Sequence, residues 1–251
     1  MLASFLIAFR EGVEIAVIFG IVVSTLRKLN RKELYPVVWS GFISAMAASI
    51  IIAVVLQKFG ATLEGRAEQI FESATMLLAA SILTWMIFWM QSQSRSIKGE
   101  IENSVRLSIS ETSNWALFSL AFIAIWREGV ELAIYVTAST FASEVVPVLI
   151  GTILGLAASL ILGIGIYSAS IRLDLRFFFD FTSALLILFA AGLVANGFHE
   201  LIEGGILPPI IPQVWDLSLI LDPVSMPGRF LSAFFGYQAT PSLLEMIFYF
   251  L

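Results

Sequence analysis

The sequence predicts an all-α, polytopic transmembrane helical bundle on three observations: its composition, its apolar runs of bilayer length, and a charged pentapeptide that recurs inside two of those runs. Hydrophobic residues make up 59% of the 251 and charged residues only 13%, a balance outside the range of soluble domains. Six apolar runs approach the roughly 20 residues that carry a helix across a bilayer. The net charge of -5 is scattered with no basic block, which argues against nucleic acid as a partner. With no cysteine in the chain, disulfides, thiolate metal sites and cysteine redox chemistry are excluded.

The first run, 2–26, has no basic leader and no cleavage-site pattern, and it carries Arg10, Glu11 and Glu14. It therefore reads as a retained span, not a signal peptide. Spans two and three are expected at 36–57 and 71–91, spans four, five and six at 115–140, 147–168 and 180–201, each bounded by polar or Gly/Pro-bearing segments. Residues 92–114 form the longest polar stretch and read as a cytoplasmic connector. The segment 204–228 holds Pro208, Pro209, Pro212, Pro223 and Pro227 and reads as a structured outer cover or a docking surface. After Pro241 only ten residues remain, about 15 Å of helix where about 30 Å is needed. A short, truncated or non-crossing final helix is expected there. The predicted organisation is a first three-helix repeat at 1–91, the connector at 92–114, a second repeat at 115–203, and an outer loop with a final helix at 204–251, about seven spans in all.

Basic residues orient these spans. Arg27, Lys28, Arg31, Lys32, Arg95, Lys98, Arg106, Arg172 and Arg176 fall on one side; Lys58, Arg66 and Arg229 fall on the other. The nine-residue side is expected to be cytoplasmic, which places the N-terminus outside in a plasma membrane, or in the inner membrane of a bacterium.

Arg10-Glu11-Gly12-Val13-Glu14 and Arg127-Glu128-Gly129-Val130-Glu131 lie deep in spans one and four. Each Leu, Ile, Phe or Val favours insertion by roughly 0.3 to 0.6 kcal/mol, and each central charge costs about 2.5 to 3.5. The fourteen such apolar residues of 2–26 therefore supply on the order of 6 kcal/mol against roughly 9 for three charges. Residues 115–140 hold ten and fare worse. Both segments must turn their charges toward protein or trapped water, and they are expected to face each other.

The motifs are three spans apart, and an odd number reverses direction, so the halves should form an inverted repeat with a midplane site. Small residues support this. Gly41, Ala45, Ser49 and Ala53 recur every fourth residue in span two, as Gly151, Gly155, Ser159 and Gly163 do in span five, a spacing that permits close helix packing.

Within each motif the glutamates stand at i and i+3 and share a helix face. Four carboxylates from antiparallel helices can converge, and such hard oxygen donors suit ferric iron, magnesium, calcium or manganese. Arg10 and Arg127 each precede a glutamate by four residues and can tune charge and position. Gly12 and Gly129 are expected to admit an ion close to the backbone. Ion pairing that only fixes packing, and proton relay, are the competing readings of the same residues.

Phe9-Arg-Glu-Gly-Val-Glu14 and Trp126-Arg-Glu-Gly-Val-Glu131 resemble the Arg-Glu-Gly-x-Glu signatures of the oxidase-dependent iron permease family. The segments Phe198-His-Glu-Leu-Ile-Glu-Gly204 and Gly236-Tyr-Gln-Ala-Thr-Pro-Ser242 resemble its bacterial branch. The likeness spans nearly the whole chain. It implies iron import across the plasma membrane with Glu11, Glu14, Glu128 and Glu131 as ligands. It also implies a partner that oxidises ferrous iron outside so that the ferric product is carried inward; bacterial members often act with a periplasmic iron-binding protein and a haem peroxidase. The short final helix departs from the family pattern.

Further polar residues mark a path for entry or exit. His199, the single histidine, lies with Glu200 and Glu203 where span six meets the exterior; the alternative is a solvated helix end. Glu64, Glu68 and Glu72 form an acidic row at i, i+4 and i+8, or serve a helix N-terminus. Asp180 opens span six from the cytoplasmic side as a cap or an exit ligand. The expected function is thus an iron permease and not an enzyme, with no permanently bound cofactor and iron as the transported ion. Expected partners are iron, the lipid bilayer and an extracytoplasmic iron oxidase or iron-binding protein, with homo-oligomerisation left open. The alternatives are a transporter for another divalent or heavy-metal cation such as lead, and a membrane-embedded redox subunit, which a lone histidine and no cysteine make hard to build.

Overall fold

The computed structural model describes the chain apart from residues 94–96, 111–113, 170–174, 219, 223–224, 226, 229–230, 233–235 and 251. Of the expected sites and orienting charges, Arg95, Arg172 and Arg229 lie outside the described residues, as do the side chains of Lys98, Arg106, Arg176 and Asp180.

The helices are α1 (Leu2–Lys28), α2 (Tyr35–Gly60), α3 (Arg66–Gln93), α4 (Ile97–Ser110), α5 (Asn114–Ala142), α6 (Val145–Ala169), α7 (Leu175–Glu203) and α8 (Leu243–Phe250). A 3-10 turn at Lys32–Leu34 joins α1 to α2. Local chemistry sets these ends. Arg27 and Lys28 occupy the last turn of α1, where cations complement the helix dipole. Asn30 then takes a left-handed φ of 59°, a conformation asparagine tolerates better than most residues, and Pro36 starts α2 without needing a backbone donor.

The chain is an all-helical membrane bundle, with no strand among the described residues. By length and composition α2, α3, α6 and α7 each contain a segment able to cross a membrane. The motif helices α1 and α5 fall outside that group because their charges offset their apolar residues, as the insertion arithmetic requires. Their motif glutamates are sheltered instead, none more than 15% exposed at the side chain. The outward faces of α2 and α6 carry exposed Ile43, Ile50, Ile51 and Val55, and Ile153, Leu160, Ile161 and Ile164, a surface suited to lipid.

Packing crosses between the halves. The main partner of α1 is α6, that of α2 is α5, and that of α3 is α7, while α1 also meets α5. Gly151 abuts Met1 and Ser4, Gly155 abuts Phe5 and Phe9, and Gly163 abuts Ala16, so α6 runs parallel to α1 along its small-residue stripe. Gly41 against Phe118 and Ala121, and Gly129 against Ser49, give α2 and α5 the same parallel relation. By contrast, Ala3 and Ile7 share a core with Tyr135 and Ala138, Ile15 with Ile125, and Leu26 with Leu117, so α1 and α5 are antiparallel. The two motif helices thus pass each other in opposite directions, each against a parallel helix of the other half.

Residues 92–114 are more than a polar connector. Residues 97–110 form α4, which packs on α1 and α5. It buries Val105 with Val22, Leu26 and Leu117, and Glu102 Oε1 lies 3.2 Å from Lys28 Nζ. At the other end the segment after α7 folds back on the tail. Val214 N donates to Pro241 O (3.0 Å) and Leu217 N to Ala239 O (2.9 Å), and Gly236, at φ +61°, sits against Gly192, where a Cβ would strike backbone. The described part of α8 has eight residues, about 12 Å, and lies along α7.

Candidate functional site

The two pentapeptides meet where α1 and α5 cross. Arg10 and Glu11 are fully buried and Glu128 nearly so. Carboxylate oxygens of Glu11, Glu128 and Glu131 lie within 4.8 Å of one another. Glu14 stands apart from that trio, its Oε1 3.3 Å from Arg10 Nε. On the other helix Arg127 Nε lies 3.4 Å from Glu128 and 3.3 Å from Glu131. Both oxygens of Glu11, and one each of Glu14, Glu128 and Glu131, are buried without a hydrogen bond among the described residues. A carboxylate removed from water and left unpaired is costly; a cation placed among Glu11, Glu128 and Glu131 would satisfy it. With oxygen donors only, such a centre suits a hard ion.

The i, i+3 spacing explains why both glutamates of a motif reach one face of their helix. The glycine between them has a different task from the one expected. Space beside Gly12 is filled by Ser159 and that beside Gly129 by Ser49, so neither glycine opens a gap for an ion. Each lets the small-residue stripe of the other half approach the motif. Trp126 stacks on Phe122 at 6.0 Å, a packing contact.

The two motifs differ in access. The Arg10 side chain is 0% exposed and that of Arg127 is 47% exposed. The exposed face of α5 continues through Ile123 and Ser119 toward the helix N-terminus.

The outer polar residues divide. Gly65, at φ +61°, turns the chain before α3 begins at Arg66, so Glu64 lies outside the helix and the expected three-member row reduces to Glu68 and Glu72. Glu72 is within electrostatic range of Glu200 and Glu68, which groups acids from α3 and α7. His199 has two carboxylate neighbours: its Nδ1 lies 2.9 Å from Glu245 and its Nε2 3.3 Å from Glu203.

Sequence reasoning missed Glu245 and Tyr135. Glu245 follows Ser242 by three residues, the spacing of a capping box, and that signal was present at the start of α8. Tyr135 is fully buried one turn beyond Glu131, with its hydroxyl 4.0 Å from Met86 Sδ; its i, i+4 relation to Glu131 was the available signal.

The model of the iron permease FTR1 family matches residues 1–251. The chain belongs to this family. It is 32% identical over 253 residues to the ferrous iron permease EfeU of Yersinia pestis, with 100% of this chain and 90% of that protein covered. Against the ferrous iron permease EfeU of Escherichia coli O6:K15:H31 the identity is again 32%, with 100% of this chain and 92% of the relative covered. No solved structure matches the chain. Within the iron permease family, then, this member places its paired motifs at one buried crossing of α1 and α5.

Proposed function

We propose that the chain imports iron across the plasma membrane, the inner membrane in a bacterium, with the ion passing between α1 and α5. The observation that carries this reading is the convergence of Glu11, Glu128 and Glu131 with buried oxygens lacking hydrogen bonds. These three are the central ligands. Glu14 is the fourth, exchanging between Arg10 and the ion, and Arg10 and Arg127 tune the site. Two arginines against four glutamates leave a net charge of minus two when all are ionised, enough to attract a multivalent ion while permitting release. The halves 1–91 and 115–203 act as inverted repeats about this point, with the N-terminus outside.

The ion that crosses the cluster is ferric, because four carboxylates with no nitrogen or sulfur donor form a hard site. An extracytoplasmic oxidase or iron-binding protein supplies it. The relatives are named for ferrous iron. The deciding experiment is uptake of radioactive iron by proteoliposomes, offered as ferrous ion under reductant or as chelated ferric ion, with Glu131→Gln alongside. Uptake lost in the folded variant supports the path. Uptake surviving in Glu131→Gln removes the cluster from it, and uptake of ferrous ion alone overturns the ferric assignment.

A further inference from the structure

We infer that His199 Nε2 and Glu203 form a divalent-cation capture site at the outer end of α7, with Glu245 fixing the histidine from behind. The inference rests on the reading of the chain as an importer, since it supplies that path with a first station. The geometry is that of a ligand pair with a built support. Glu245 is 4% exposed, and both its oxygens are occupied. Its Oε1 accepts from His199 Nδ1 at 2.9 Å and its Oε2 from the Ser242 backbone N–H at 3.0 Å. The Glu245 N–H donates in return to Ser242 Oγ at 3.4 Å, and stacking of Phe198 on Phe248 at 3.8 Å holds α8 against α7 beside them.

A carboxylate that accepts from one ring nitrogen directs the other outward, the usual support behind a metal-binding histidine, and an ion bound there displaces the proton that Nε2 otherwise shares with Glu203. Here that other nitrogen, Nε2, lies 3.3 Å from Glu203 Oε1. Two donors each about 2.1 Å from one ion and at right angles to each other are about 3 Å apart, so the pair needs little movement to share a cation. His199 and Glu203 are 41% and 56% exposed at the side chain, open to an ion arriving from water. The mixed donor set also differs from the all-oxygen cluster below it: imidazole suits divalent iron and its first-row neighbours. The mouth and the crossing are thus built for different ions.

The chain's single histidine makes the test specific. The full chain, free of tag histidines and held in lipid nanodiscs, is loaded with Mn2+ and examined by pulsed electron paramagnetic resonance. Imidazole nitrogen coupling should appear, and it should persist in the Glu11→Gln/Glu128→Gln double variant, so that failure of the buried cluster and failure of this site are read separately. It should vanish in His199→Gln. Glu203→Gln, which leaves the contacts to Glu245 in place, should weaken Mn2+ binding at this site about tenfold. Bound Mn2+ without nitrogen coupling in the unmodified chain, or unchanged affinity in Glu203→Gln, would reduce His199 to a latch for α8 and overturn the inference.

Discussion

Gly12 lies directly beneath Ser159: a methyl group added at residue 12 would stand 2.7 Å from the serine Cβ and overlap its hydroxyl. Gly129 has the same relation to Ser49. Each motif is thereby clamped to the small-residue stripe of the opposite half at the level of the converging glutamates. Gly12→Ala should cost about 1 to 3 kcal/mol through overpacking and reduce iron uptake. Adding Ser159→Gly should recover most of both losses, read by thermal unfolding and by uptake. A double variant no better than Gly12→Ala would show that the glycine acts through something other than this contact.

Glu11 and Glu14 should separate on mutation. Glu11 carries two buried oxygens without hydrogen bonds, so Glu11→Gln should eliminate uptake while the ion-free protein unfolds at the same or a higher temperature, because an unpaired buried charge is removed. Glu14 lies 3.3 Å from the fully buried Arg10, and Glu14→Gln should destabilise by about 3 kcal/mol, the scale for breaking a buried pair. Equal melting temperatures for the two variants would contradict this division.

Much of this architecture was legible in the sequence because bilayer chemistry leaves few options. Runs of bilayer length marked α1 to α7 apart from the connector, and the repeated pentapeptide marked the antiparallel crossing of α1 and α5. Partner choice was hidden. A stripe such as Gly151, Gly155, Ser159 and Gly163 announces close packing without naming the helix it meets, and only the fold shows it on α1 and not within its own half. Polarity also misled at 92–114, where Val105 and Ile101 give α4 one apolar face within a mostly polar stretch. Glu245 escaped notice because the final run was judged by its length, whereas its role depends on a contact 46 residues away in sequence.

Arg127 should be reached by water from the side of the α5 N-terminus. An arginine at membrane depth faces a bundle interior or a water-filled cavity, and this one is 47% exposed along the face that carries Ile123, itself 62% exposed. The chain has no cysteine of its own, so single replacements report cleanly. Ile123→Cys should react with a membrane-impermeant maleimide applied on that side, whereas Leu6→Cys, the equivalent position on α1, should resist from either side. Reaction of Ile123→Cys with lipid-soluble reagents alone would place this face against hydrocarbon.

Ser242→Ala should loosen α8. It removes the hydroxyl that accepts from the Glu245 N–H, and loss of such a cap costs about 1 kcal/mol. Hydrogen exchange in residues 243–250 should quicken roughly fivefold, the equivalent of that energy, while amides of α1 and α5 keep their protection. Unchanged exchange at 243–250 would mean that the stacked phenylalanines hold the helix by themselves.

The crossed pairing of helices constrains how the protein is made. During synthesis α1 leaves the ribosome first, yet the helix that covers its motif begins only at Val145. Domains usually fold as units in the order of their emergence, and here the first three helices cannot complete themselves that way. Arg10, Glu11 and Glu14 must wait, within the insertion machinery or in contact with α2, until the second half has been threaded. Completion of the buried site therefore comes late, when α6 and α5 reach α1 and α2.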